Sequence, residues 1–220
     1  MLKVLIADDH PLFRDALHGA VTAVRADALV VEAASLAGVL DLVQDDDDLD
    51  LALLDLRMPG MDGLAGLVML RKVKPELPVA IVSALADEDT VARCLACGAA
   101  GYIPKSLGRE KIRAAIETVL AGGIFTPDAA HVAAATRPVP KGRAHDEPFA
   151  KIGSLTPQQM RVLELMGEGR LNKEISHILS VSETTVKAHV SAVLHKLGVA
   201  SRTQAVLALR RMKELQDAGA

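Results

Sequence analysis

Five short apolar runs alternate with five amphipathic stretches over the first 121 residues, and that alternation leaves few folds open. The runs at 3–7, 29–33, 51–54, 79–82 and 101–103 are mostly apolar, as expected of strands covered on both faces. The stretches at 13–24, 36–44, 63–74, 90–97 and 109–121 read as helices. Successive βα units require crossover connections of one hand. The predicted fold is therefore α/β: a doubly wound (βα)5 parallel sheet with helices on both faces. Such sheets place their ligand site beyond the carboxyl ends of the strands, so chemistry is expected from the residues that end them.

Those residues form a coherent set. Asp8 and Asp9 follow the first strand, Asp55 the third, Ser83 the fourth, and Lys105 comes just after the fifth. If the first and third strands are neighbours, three carboxylates meet and repel unless a hard cation sits among them. Mg²⁺ suits oxygen ligands of this kind. A carboxylate, a divalent ion, a hydroxyl and an ammonium around one point suit phosphoryl transfer, with the carboxylate attacking and the others neutralising charge on the phosphoryl oxygens. Singly, each residue has a plainer role: an Asp caps a helix, a Ser serves a turn, a Lys is solvated. Five of them at the ends of four strands of one sheet favour the functional reading.

These segments resemble receiver domains of two-component signalling. Leu53-Leu54-Asp55-Leu56-Arg57-Met58-Pro59-Gly60-Met61-Asp62-Gly63 is similar to their phosphorylation loop, and Asp8-Asp9-His10-Pro11 to their acidic pair. Ser83-Ala84, Tyr102 and Lys105 match the remaining positions. The resemblance spans Leu2 to about Ala121. It implies that Asp55 accepts a phosphoryl group from a sensor histidine kinase. It also implies that Asp9, Asp55 and the backbone carbonyl of Arg57 bind Mg²⁺, with Asp8 acting through water, and that Lys105 holds the phosphoryl group. Ser83 and Tyr102 carry the implied switch: Ser83 moves toward the phosphate and Tyr102 rotates inward. Lys105 is followed by Ser106 where many receivers have Pro.

After Gly123 the composition changes. Pro127, Pro138, Pro140 and Pro148 mark a linker, with a short helix expected over 128–135. The predicted division is a receiver over 1–122, a linker over 123–152 and a second domain over 153–215. The second domain reads as all-α, a four-helix bundle. Thr156-Pro157-Gln158-Gln159 is a capping box with Pro at the first helical position. Asn172 is expected to cap a second helix and Ser182 a third, which stops at Gly198. A fourth is expected over 203–215. In the third helix Val186, Val190, Val193, Leu194 and Leu197 recur at helical spacing and are assigned to the core. The opposite side carries Thr184, Lys187, Ala188, Ser191 and His195.

Charge separates the two halves. From Lys151 onward there are 10 Lys and Arg against 6 Asp and Glu, whereas the remainder has 15 against 22. The acidic half suits a cation and the basic half a polyanion. Aromatic residues are 2% of the chain, too few for base-stacking platforms of the single-strand-binding kind. The acidic run Asp45–Asp48 reads as a solvated loop. Cys94-x-x-Cys97 falls inside a predicted helix and reads as two small buried thiols. The chain shows no apolar run of membrane-spanning length and no signal-peptide pattern, so a cytoplasmic location is expected.

Modest basicity and a capped amphipathic helix leave a DNA-reading domain and a plain interaction domain in balance. The motifs Leu155-Thr156-Pro157-Gln158-Gln159, Asn172-Lys173-Glu174-Ile175, Thr185-Val186-Lys187-Ala188-His189-Val190, Lys196-Leu197-Gly198-Val199 and Ser201-Arg202 resemble, in order, the LuxR-type DNA-binding domain. Together the two halves resemble the NarL/LuxR subfamily of bacterial response regulators. The resemblance implies a dimer on double-stranded DNA. Lys187, Ala188 and Ser191 would lie in the major groove, Thr184, Thr185 and His189 near phosphates, and the fourth helix (Thr203, Val206, Leu207, Arg210) at the dimer contact. Two alternatives stand beside this reading. One is a constitutive dimerisation module whose DNA binding ignores phosphate. The other is a Mg²⁺-dependent phosphohydrolase, against which Arg57 stands where such enzymes usually place a second acid.

Overall fold

The computed structural model describes residues 1–46, 48–61, 63–85, 87–127 and 148–218, with only the backbone over 215–218. Five strands, β1 (Lys3–Ala7), β2 (Leu29–Ala33), β3 (Leu51–Asp55), β4 (Val79–Ser83) and β5 (Gly101–Pro104), form one sheet in the order β2-β1-β3-β4-β5. Every pairing is parallel. The helices between them are α1 (Pro11–Val24), α2 (Leu36–Asp45), α3 (Ala65–Val73), α4 (Glu88–Ala96) and α5 (Arg109–Leu120). Alternate strand residues feed two cores, as the twofold side-chain period dictates. Leu5, Ala52, Leu54 and Ile81 join α2, α3 and α4 on one face. Val4, Ile6, Leu53 and Val82 join α1 and α5 on the other. β2 departs from the expectation of full cover: it is an edge strand, and Leu29 and Glu32 are exposed.

The helix starts moved for local reasons. α1 begins two residues earlier than predicted because Pro11 occupies the first helical position directly after the acidic pair. α3 begins later, since Gly63 has a φ of +54° and belongs to the preceding loop. α4 begins at Glu88, where the Asp87 side chain accepts from the Thr90 N–H at 2.9 Å. Past α5 the chain does not leave the receiver at once. Tyr102 N–H donates to the Phe125 carbonyl at 2.8 Å, so the first residues of the expected linker line β5. The helix expected over 128–135 lies outside the described residues.

The second domain has a 3₁₀ segment (Pro148–Ser154) and four helices: α6 (Pro157–Gly167), α7 (Asn172–Leu179), α8 (Glu183–Leu197) and α9 (Arg202–Ala218). The Thr156–Gln159 capping box forms as expected, with bonds of 3.0 and 3.3 Å. Asn172 does not cap α7. Leu171 holds that position, and the Glu174 side chain accepts from its N–H at 2.8 Å. Asn172 instead accepts from Arg202 at 3.1 Å. The Arg202 side chain is buried, its pKa brought down to about 10 by that burial, and it also donates to the Arg170 carbonyl. It thereby ties the start of α7 to α9. All five residues assigned to the core of α8 are buried around Ile152, Val162 and Val206.

The two domains meet at the amino-terminal edge of the sheet. Buried Arg71 of α3 donates across the boundary to the Ala200 carbonyl at 2.9 and 3.2 Å, and also to the carbonyls of Pro75 and Leu77. Gly169, at a φ of +78°, lies so close to Ala121 that an added Cβ would sit 2.8 Å from its carbonyl oxygen. Gly169→Ala is expected to lower stability by about 1–2 kcal/mol from backbone strain alone, read as a fall in denaturation midpoint in urea.

Candidate functional site

The sheet order explains the acidic site. β1 lies between β2 and β3, so connections leave in opposite directions on its two sides, and the crevice opens at that switch point. Ala7 pairs with Leu54, which brings Asp8 beside Asp55. Asp8 is fully buried, Asp55 almost so, and Asp9 is a third exposed. Lys105 arrives from the end of β5 and places its Nζ 2.6 Å from Asp8 Oδ2 and 2.7 Å from Asp55 Oδ2. The ammonium stands where like charges would otherwise face each other. Burial alone would lower the Lys105 pKa, but the hydrogen bonds and charges of Asp55 and Asp8 outweigh it and raise it. The Arg57 N–H donates to Asp55 Oδ1 at 3.1 Å, while the Arg57 side chain is exposed.

One neighbour went unassigned in the sequence. His10 Nδ1 lies 2.7 Å from Asp9 Oδ1 and 3.2 Å from Asp8 Oδ1, and its backbone N–H donates to Asp8 Oδ1 at 2.9 Å. Candidate ligand atoms of Asp8, Asp9, His10 and Asp55 lie within 4.8 Å of one another. Its position directly after the acidic pair and before a helix-starting proline was the available signal. The donor set is predominantly carboxylate oxygen and already accommodates one cation, the Lys105 ammonium, so it fits a hard divalent ion.

Of the two switch residues, Tyr102 differs from expectation. Tyr102 is not outward awaiting rotation. It is completely buried, and its hydroxyl donates to the Leu85 carbonyl at 2.7 Å. Burial raises its pKa, partly offset by a hydrogen bond with Ser83. Ser83 is fully buried and accepts from the Leu85 N–H at 3.3 Å. Among the described residues no peptide bond is cis, the one after Lys105 included. Cys94 is buried, its thiol pushed up to about 12 by burial, and Cys97 is half-buried; both are free. The raised Cys94 thiol is a poor nucleophile, as a packing thiol should be.

The second candidate surface is α8. Ser180, at a φ of +53°, turns the chain out of α7, and Ser182 caps α8 by accepting from the Thr185 N–H at 3.1 Å. Thr184 and Ala188 are exposed on its outer side; Thr185, Lys187, His189 and Ser191 are half-buried. Lys187 reaches Glu183 at 3.5 Å and, across the domain boundary, Asp48 at 4.0 Å. The acidic run is thus not merely solvated. Asp46 pairs with Lys3, Asp48 faces Lys187, and nearby Asp50 binds Lys173 at 2.7 Å. Sequence had no signal for these pairs, two of which, Asp48–Lys187 and Asp50–Lys173, join residues more than 100 positions apart. On α9, Thr203 and Val206 are buried in the domain's own core, contrary to their expected place at a dimer contact, because α9 turns that side toward α6 and α8. Leu207 is half-buried and Arg210 exposed.

The raised Lys105 pKa fixes the sign of a pH effect. Such a group stabilises the fold fully below its ordinary value of 10.5, and the contribution is lost as pH rises through the higher folded value. Urea denaturation at stepped pH should show wild type losing stability above about pH 10.5 by a component that Lys105→Met lacks.

Among the described residues no helix is long and apolar enough to cross a membrane. Residues 4–117 match the family model of the response regulator receiver domain, and residues 153–209 that of the bacterial regulatory proteins of the luxR family. The glycerol metabolism activator of Pseudomonas putida is 46% identical, with 94% of each chain covered. The nitrate/nitrite response regulator NarL of Escherichia coli K12 is 32% identical over 93% of each. A LuxR family DNA-binding response regulator from Silicibacter pomeroyi superposes with a TM-score of 0.51 at 30% identity, over 58% of this chain and 97% of that one. RcsB of Salmonella typhimurium shares the fold at a TM-score of 0.55 and 22% identity, over 96% and 100%. A receiver sheet with its acidic crevice, followed by a capped helix-turn-helix and matched along both halves, makes this chain a member of the LuxR-type response regulators, which regulate transcription.

Proposed function

We propose that Asp55 accepts a phosphoryl group from a phosphohistidine of a sensor kinase, and that this controls binding of α8 to double-stranded promoter DNA by a cytoplasmic homodimer. The domain limits that go with this reading are 1–122, 123–152 and 153–215. The observation that carries it is the Lys105 ammonium between Asp8 and Asp55: it holds positive charge where a phosphoryl group would bring negative charge. In the transfer, an Asp55 carboxylate oxygen bonds to phosphorus as the phosphorus–nitrogen bond breaks, and the imidazole leaves. Asp8, Asp9, Asp55 and the Arg57 carbonyl would hold Mg²⁺, with Asp8 through water. The bound ion would neutralise charge on the phosphoryl oxygens. Lys105 turns from the carboxylates to a phosphoryl oxygen, and Ser83 offers its hydroxyl to another. No second acid follows Asp55, since that position is Arg57, so hydrolysis of small phosphate esters is not favoured.

On DNA, Lys187 is the long reader of α8, beside the small Ala188 and Ser191. Thr184, Thr185 and His189 would lie near phosphates. NarL is a nitrate/nitrite response regulator, and RcsB has been solved in complex with DNA; the same partner class is proposed for this chain. The closed arrangement opposes that use. Lys187 of α8 faces Asp48 and Lys173 of α7 binds Asp50, so DNA and the receiver would compete for the same side of the helix-turn-helix. DNA binding then requires the domains to part.

Titration of a promoter fragment at fixed salt, with and without acetyl phosphate, tests the reading. Wild type is expected to gain affinity on phosphorylation and Asp55→Asn to gain none; an equal gain in both would refute control through Asp55. Lys187→Ala is expected to weaken binding by roughly 1–3 kcal/mol. Asp48→Lys, which repels Lys187 from the receiver, is expected to raise the affinity of the unphosphorylated protein in the same assay.

A further inference from the structure

The ammonium of Lys105 has a third neighbour. Its Nζ lies 4.7 Å from the centroid of the Phe13 ring, within the range of a cation–π contact. The local sequence places it there. Asp9 is followed by His10 at the helix cap and Pro11 at the first helical position, so Phe13 falls in the first turn of α1, over the crevice. The chain has three Phe, one Tyr and no Trp, so an aromatic ring facing the half-buried ammonium of this crevice is not the product of abundant aromatics.

The three neighbours respond differently to a metal ion. A divalent cation binds carboxylates and would draw Asp8 and Asp55 away from Lys105. A phenyl ring offers a hard ion no oxygen and is left in place. The face of Phe13 is then the contact that stays with the ammonium while the carboxylates change partners. We propose that Phe13 is a positioning residue for phosphoryl acceptance, its ring holding Lys105 Nζ at the place where a phosphoryl oxygen arrives. This inference rests on the reading of Asp55 as phosphoryl acceptor. A simpler role exists, because Phe13 also packs on the rim of the core that α1 and α5 form with the sheet, and a leucine or methionine would serve that role equally well.

The full-length chain is titrated with beryllofluoride, a phosphoryl mimic, in the presence of Mg²⁺, with binding followed by ¹⁹F NMR. Affinity for Mg²⁺ alone is measured by calorimetry, and urea denaturation checks that each variant is folded. Phe13→Leu and Phe13→Met are expected to weaken beryllofluoride binding about 3- to 30-fold, with Mg²⁺ affinity unchanged. Phe13→Tyr, which keeps the ring face, is expected to bind as wild type does. In a Lys105→Met background, Phe13→Leu is expected to have no further effect, since the ring acts through the ammonium. The inference is overturned if Phe13→Leu and Phe13→Met bind as wild type, if Phe13→Tyr falls as far as they do, or if the Phe13→Leu loss persists without Lys105. Wild type that takes up no beryllofluoride at all would instead overturn the reading of Asp55.

Discussion

Charge gathered at one edge of a parallel sheet is the constraint on which the rest of this molecule depends. Asp8 and Asp55 are buried side by side because β1 and β3 are neighbours in register. Buried carboxylates without a counter-charge are strongly unfavourable. Lys105 meets both of them, and its own raised pKa is the reciprocal of that attraction. The site is therefore stable only with a cation in it, and that same requirement makes it receptive to a metal ion and a phosphoryl group. Structure and chemistry here have one cause: the strand order converges acidic ends and a basic end on one crevice.

The opposite edge of the sheet has its own electrostatic arrangement. Met1, Asp50 and the acidic residues before β3 face Lys173 and Lys187 of the second domain. Buried Arg71 adds hydrogen bonds to the Ala200 carbonyl, and burial brings its pKa down to about 10. α3 connects the two edges, since it starts after the loop that follows Asp55 and carries Arg71 in its last turn. Acidic residues of the receiver thus meet basic side chains that also suit phosphates. The preference of the basic half for polyanions and its docking on the acidic half are one property, expressed toward two partners.

Sequence carried much of this. The strands appear at the predicted positions to within one residue, because short apolar runs in a two-sided sheet have little freedom of register. The α8 core face held because helical spacing leaves one buried side. The misplaced details share a cause in long-range contact. Asn172 was a reasonable cap by residue type, but Arg202 claims its side chain from 30 residues away. Asp45–Asp48 read as solvated because nothing local reveals that Lys3 and Lys187 approach it. Tyr102 was assigned a rotation, yet packing already holds it inside. Thr203 and Val206 were assigned outward, whereas α9 turns them into the core.

The sequence by itself determined the kind of machine. Periodicity dictates a doubly wound sheet and a helical domain, and residue type at strand ends dictates an acidic, cation-seeking site with Asp55 at its centre. Those properties depend on spacing along the chain, which local sterics convert into structure directly. Only the tertiary structure decided which atoms meet: His10 against the acidic pair, Phe13 over Lys105, and Lys187 against Asp48. Each of these contacts depends on the angle at which separate elements pack, and packing is settled by the summed burial of both cores rather than by any one segment.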